Sequence, residues 1–182
     1  MNQDTIKKYP KTSKVIMEAF AGESQARNKY DFFAKVAKKE GHQKLADFFE
    51  ETARNEQQHA KLLFKLLNGI SNTQDNLKVC IEGENYEHTT MYPDFAKIAK
   101  QEGFKEAEEL FNKIAKVEIE HENRFKTLLS KLENNTLYRS DNNEPIAWIC
   151  RVCGNVETAI EPPEKCPVCN HPKGYFEKQT TI

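Results

Sequence analysis

The sequence predicts a mainly α protein, a four-helix bundle followed by a small C-terminal module stapled by metal. Three observations predict it. Residues 13–133 are rich in Ala, Leu, Glu, Lys and Phe at helical spacing, with few glycines and one interior proline. Breaks at Gly41-His42, at the polar run NGISNTQDN (residues 68–76) and at Gly103 divide this region into four helices of about 25 to 30 residues each. Four cysteines then gather in two Cys-x-x-Cys pairs near the C-terminus.

Each element follows from composition. With 182 residues the chain has room for one ordinary domain and a small one. Residues 1–134 read as the helical bundle. Residues 135–145 belong to a polar stretch, NNTLYRSDNNEP, that lacks periodicity and reads as a linker. Residues 146–182 carry Cys, Pro, Gly and β-branched residues and are too few to fold on an apolar core alone. Lys and Arg total 27 against 28 Asp and Glu, a net charge of −1, which offers no global field for nucleic acid or an anionic membrane. No apolar run approaches the roughly 18 residues that cross a bilayer, and MNQDTIKKYPKT has no apolar stretch behind its charges, so a soluble cytoplasmic protein is expected. Paired cysteines in a reducing compartment suit a metal better than disulfides; Cys80 is left over, without an assigned role.

The helical region repeats itself. AKVAKKEGHQKLADFFEETARNEQQHAKLLFKLL (residues 34–67) aligns without gaps on AKIAKQEGFKEAEELFNKIAKVEIEHENRFKTLL (residues 96–129) at an offset of 62. Before this block the offset is 61, where Gly22-Glu23 matches Gly83-Glu84. The third helix therefore carries one extra residue between Glu84 and Ala96. Pro93 lies in that interval, and a local bulge or kink there would absorb the insertion.

The repeat turns an ambiguous pair into a constellation. A single Glu-x-x-His in a charged helix is most often solvated surface. Here each half contributes one glutamate after a glycine, Glu23 or Glu84, and a Glu-x-x-His on its second helix, Glu56/His59 or Glu118/His121. Residues at i and i+3 share a helix face, so each pair presents a carboxylate and an imidazole to one metal. This is the ligand pattern of ferritin-like di-iron carboxylate bundles, with one Glu from each of two helices and Glu-x-x-His from each of the other two. Oxygen and imidazole ligands with open positions suit iron or manganese, and zinc where that is available. Glu87 adds an asymmetry, standing three residues after Glu84 where the other half has Ala26. A seventh acid on one side makes the two metals inequivalent. Tyr30 and Tyr92, seven residues after Glu23 and eight after Glu84, are candidates to hydrogen-bond a ligand carboxylate, against the plainer role of core aromatics.

In ICRVCGNVETAIEPPEKCPVCN, Cys150, Cys153, Cys166 and Cys169 form two knuckles separated by twelve residues, enough to enclose one tetrahedral metal in thiolates. A structural zinc ribbon has the same ligands. Trp148, Gly154, Pro167 and Tyr175-Phe176 around the cysteines resemble rubredoxin, which carries one iron. The bundle pattern followed by this module resembles the rubrerythrin family over nearly the whole chain. That resemblance implies a non-haem di-iron peroxidase that reduces hydrogen peroxide to water, with electrons entering through the four-cysteine iron. It makes Glu23, Glu56, His59, Glu84, Glu87, Glu118 and His121 the di-iron ligands, with Glu56 and Glu118 bridging. It also makes His59 and Glu87 a pair that trade places at one iron. A ferroxidase or iron-handling role is the alternative. The donor would be a rubredoxin or an NAD(P)H-dependent reductase, because the chain has no Gly-x-Gly-x-x-Gly of its own.

Assembly follows from the link between the second and third helices, which run parallel in a ferritin-like bundle. Residues 67–78 reach at most about 40 Å when extended, barely enough to return along the bundle. A homodimer is therefore expected, either unswapped or with helix pairs exchanged between chains.

Overall fold

The computed structural model describes residues 3–180. Those residues fold as two compact units, one running to residue 72 and the other starting at residue 73. The first holds α1 (Gln3–Lys8), α2 (Pro10–Lys39) and α3 (Gln43–Leu66). The second holds α4 (Thr73–Tyr86), a π-helical stretch (Glu87–Met91), α5 (Tyr92–Glu102), α6 (Lys105–Glu133) and three strands. The strands are β1 (Ile146–Cys150), β2 (Val156–Ala159) and β3 (Phe176–Lys178). The protein is mainly α with a small cysteine-bearing sheet, the class expected from the sequence. No described helix is long and apolar enough to cross a membrane.

The helix starts and stops are set by local chemistry. Pro10 opens α2 at a position where a missing N–H costs nothing, three residues before the Ser13 start read from composition. At the end of α2, Gly41 takes φ +82° while the amides of Gly41 and His42 turn back to the carbonyls of Lys38 and Ala37. This two-bond cap closes the helix on a left-handed residue. Gly103, at φ +77°, closes α5 the same way on Lys100 and Ala99, one repeat later. Asn68 and Asn135 do so at the ends of α3 and α6, with φ of +50° and +56°.

The extra residue of the third helix is absorbed by the π-helical stretch between α4 and α5. Pro93 falls in the first turn of α5, where it breaks no hydrogen bond that the wide turn has not already released. The second repeat thus becomes a continuous helical run, Thr73 to Glu102, packed on α6. The link between the repeats is shorter than the sequence suggested. Helix α4 begins at Thr73, so residues 67–72 alone are non-helical.

In the first hairpin, α2 and α3 approach through small residues. Ala34, Ala37 and Ala46 are buried together, with Phe49 packed over them. Away from that seam the hairpin leaves Phe33, Phe48, Leu62 and Leu66 exposed.

The small module is an antiparallel sheet in the order β2-β1-β3, with Trp148 opposite Glu157 on one side and Lys178 on the other. Its core is Trp148, Cys150, Cys166 and Phe176, and the Trp148 indole N–H donates to the Ala159 carbonyl at 3.0 Å. The turns before β1 are held at both ends. Ser140 donates its amide to Ile160, and Asp141 accepts Lys131 from α6 at 2.6 Å and Lys178 from β3 at 2.5 Å. These ammonium groups hold the Asp141 carboxyl down to about 2.

The alanine seam makes a test of the α2–α3 packing. Ala46 is fully buried, so Ala46→Leu is expected to destabilise the metal-free protein by about 1–3 kcal/mol through overpacking. Urea unfolding followed by circular dichroism reads this as a lower midpoint at similar slope. An unchanged midpoint would mean that the seam has room.

Candidate metal centres

The first unit places Glu23 on α2 facing Glu56 and His59, which sit one turn apart on α3. The His59 Nδ1 stands 2.8 Å from Glu56 Oε2 and 3.8 Å from Glu23 Oε2. The second unit repeats the arrangement. There His121 Nδ1 stands 2.6 Å from Glu118 Oε2 and 3.5 Å from Glu84 Oε2. Within each triad one ligand atom per residue lies within 4.8 Å of the others.

Crowding these acids disturbs their protons. A hydrogen bond to Glu56 raises the Glu23 carboxyl, and the same bond lowers Glu56. In the second unit burial raises Glu84, aided by its hydrogen bond to Glu118. Burial also raises Glu87, as does the charge of Glu118. A divalent cation at either point would favour the ionised carboxylates, which is the behaviour of a metal site built from oxygen and imidazole donors.

The remaining candidates fall in different places. Glu87 opens the π-helical stretch, outside the Glu84, Glu118 and His121 cluster but within reach of the Glu118 charge. Tyr92 lies beside the rings of Phe95 and Phe111. Burial raises its phenol, and the charges of Glu87, Glu118 and Glu84 raise it further. Tyr30 lies in the equivalent aromatic nest of Phe33 and Phe49, the core role weighed from the sequence.

Sequence reasoning missed a buried polar group beside the second triad. Glu122, next to His121, accepts His88 at 2.7 Å, Lys126 at 2.8 Å and Asn85 at 3.1 Å. Lys126 and His88, with Asn85, hold its carboxyl down to about 2. The available signal was a departure from the repeat, since Glu122 falls on Ala60.

The four cysteines also converge. Cys150 and Cys169 sulfurs are 3.7 Å apart, and those of Cys153 and Cys166 are 3.6 Å apart. A metal–sulfur bond of about 2.3 Å places tetrahedral sulfurs about 3.8 Å apart, so the cage fits one ion. The two knuckles fold alike. The Gly154 amide returns to the Cys150 carbonyl and the Asn170 amide to the Cys166 carbonyl, with φ of +78° and +63° at the turning residues. Against burial, the amides of Cys169 and Val168 hold the Cys166 thiol down to about 7, which favours the thiolate a metal needs.

A family model described as rubrerythrin matches residues 14–129, and one described as the rubrerythrin rubredoxin-like domain matches residues 148–177. The chain belongs to the rubrerythrin family. It is 47% identical to the rubrerythrin of Porphyromonas gingivalis, over 94% of this chain and 91% of that one. Rubrerythrin-1 of Clostridium acetobutylicum is 44% identical over 92% of this chain and 93% of its own length. The rubrerythrin of Nitratidesulfovibrio vulgaris is 42% identical with the same coverage. Family membership makes this a ferritin-like, rubredoxin-like oxidoreductase whose cofactors are a di-iron centre and a four-cysteine iron. The two Glu, Glu and His triads and the thiolate cage are the residues that fit them.

Glu118→Ala is expected to lower the iron held by the helical region and to leave the visible absorption of the four-cysteine iron unchanged. Metal analysis with absorption spectroscopy reads both. A full iron complement in this variant would remove Glu118 from the ligand set.

Proposed function

We propose that this rubrerythrin is a peroxidase. One hydrogen peroxide, two electrons and two protons give two waters. The observation that carries the reading is the presence in one chain of two unsaturated carboxylate–imidazole triads and one closed thiolate cage. When bound, the iron pair supplies two electrons together to the O–O bond, and the four-cysteine iron supplies electrons singly.

The chain's own residues divide the work. Four sulfurs fill a tetrahedron, so Cys150, Cys153, Cys166 and Cys169 exclude peroxide from the electron inlet. Glu23, Glu56, His59, Glu84, Glu118 and His121 hold the pair with positions left for substrate. Glu87, one turn beyond Glu84 and raised by burial, is poised to exchange with His59 as the charge at the centre changes. Tyr92 keeps its proton at neutral pH and orients a carboxylate. Electrons come from a rubredoxin or an NAD(P)H-dependent reductase. A cytoplasmic location, where cysteines stay reduced for metal, fits the two Cys-x-x-Cys pairs.

We also propose how the two halves of the di-iron centre meet. Glu56 lies ten residues before the end of α3 and Glu84 eleven after the start of α4, about 15 and 16 Å of helix. In the parallel arrangement of a ferritin-like bundle, setting both at one level separates Leu66 from Thr73 by about 31 Å along the axis. Residues 67–72 reach about 25 Å at full extension. The short link therefore favours a homodimer in which each triad is completed by the opposite hairpin of a second chain. Such pairing would also cover the apolar residues that each hairpin exposes, Phe33 and Phe48 in one and Phe95 and Ile98 in the other.

Two measurements test these readings. Cys166→Ser is expected to abolish steady-state turnover with an external donor, while chemically pre-reduced protein still consumes peroxide in a single turnover. Loss of that single turnover in a folded, iron-loaded variant would count against the division of labour, and iron uptake without peroxide consumption would favour ferroxidase chemistry. For the assembly, a mixed dimer is made from Glu56→Ala and Glu118→Ala chains. Exchange of hairpins puts both lesions in one centre and leaves about half the wild-type activity; without exchange both centres are damaged and activity vanishes.

A further inference from the structure

The π-helical stretch Glu87–Met91 is a strained insertion, since a wide turn loses the close backbone packing of an α-helix. Something must hold it in place. The first repeat has no insertion, and its α2 runs unbroken from Pro10 to Lys39. The second repeat has both the insertion and the buried network around Glu122. Glu122 lies on α6 with its carboxylate almost wholly out of solvent. Oε1 accepts Asn85 and Lys126, and Oε2 accepts His88. Asn85 and His88 flank Glu87 at two residues before it and one after. The carboxylate therefore grips the helix on both sides of the residue that the π turn displaces.

The repeat supplies an internal comparison. Glu122 falls on Ala60, Lys126 on Phe64 and Asn85 on Ser24. Ala60 is buried without polar partners, Phe64 stacks on Phe20 with ring centroids 4.9 Å apart, and Ser24 bonds back to the Phe20 carbonyl within its own helix. Where the helix is regular, an apolar contact suffices. Where it is π-helical, a charged, three-pointed contact replaces it.

We propose that Glu122, through Asn85 and His88, is a latch that fixes the register of the π-helical stretch and so positions Glu87 toward the iron that it serves. Glu122 touches neither metal nor substrate and acts as a positioning residue. Lys126, on the same helix, pairs with the buried carboxylate at 2.8 Å and offsets its charge. The latch also accounts for the asymmetry of the two halves, because only the half with a seventh acid needs a displaced turn held in place. The proposal rests on Glu87 being an iron ligand, and the test separates the two claims.

The experiment reads Mössbauer spectra of the iron-loaded protein and hydrogen exchange of the metal-free protein. Glu87→Ala is expected to change the signal of one bundle iron. Glu122→Ala is expected to change the same signal in the same direction, and the Glu87→Ala/Glu122→Ala double variant to show no further change. Glu122→Gln, which keeps two acceptor contacts and lets His88 adapt its tautomer, restores the wild-type signal. In metal-free Glu122→Ala, amides of residues 87–91 exchange several-fold faster while those of α2 and α3 keep their protection, which distinguishes a lost latch from a loosened protein. If Glu87→Ala shifts the iron signal and Glu122→Ala does not, the latch is overturned while the ligand reading stands. An additive shift in the double variant also overturns it. If Glu87→Ala itself leaves the iron signal unchanged, Glu87 is not a ligand and the latch falls with it.

Discussion

Carboxylates packed against one another without a cation are the constraint on which the rest of this protein depends. In each unit two glutamates and a histidine bring their ligand atoms within 4.8 Å of one another. Such a cluster cannot hold both acids ionised in a half-buried site without a counter-charge. Iron supplies that counter-charge; without it the hydrogen bond to Glu56 raises Glu23 and burial raises Glu84. Metal binding and the ionisation of these carboxyls are therefore coupled. The helices are the means of bringing these groups together, and their alanine seams set how closely they approach.

Duplication explains much of the architecture, and the departures from it explain more. The caps on Gly41 and Gly103, the aromatic nests of Tyr30 and Tyr92, and the triads themselves are copies made at nearly constant spacing. A centre made from two copies of one hairpin has no intrinsic reason to distinguish its metals. Three departures break that symmetry, all in the second half. They are the extra residue, the acid Glu87 that stands where Ala26 would be, and the buried Glu122 where Ala60 would be.

The parts legible in the sequence were those with a short-range chemical signature. Glu-x-x-His, repeated at an offset of 62, names its residues directly, and paired Cys-x-x-Cys knuckles do the same. The helix ends were legible because a left-handed cap demands Gly or Asn. Even the insertion was countable, although its form as a π turn at Glu87–Met91 was not, since any of several adjustments absorbs one residue. What stayed hidden depends on contacts between elements. Glu122 and His88 lie 34 residues apart and meet only because α4, the π turn and α6 pack together. The length of the link was misread because TQDNLK, polar by composition, is helical once α4 continues through it. Tyr30 and Tyr92 match at the offset of 62, yet only the second half has Glu87, whose charge raises the Tyr92 phenol.

The two kinds of iron site complement each other in ligand chemistry. Thiolates are soft and polarisable, and four of them at tetrahedral spacing leave no coordination position open. Carboxylates and imidazoles are harder donors, change denticity readily, and leave positions open. Each property that suits one site to its task would spoil the other. The division is reinforced by folding, because the cage closes on its own small core of Trp148 and Phe176, whereas each triad spans two helices of a hairpin. Asp141, tying α6 to β3 through Lys131 and Lys178, holds the sheet that carries the cage to the helix that carries Glu118 and His121.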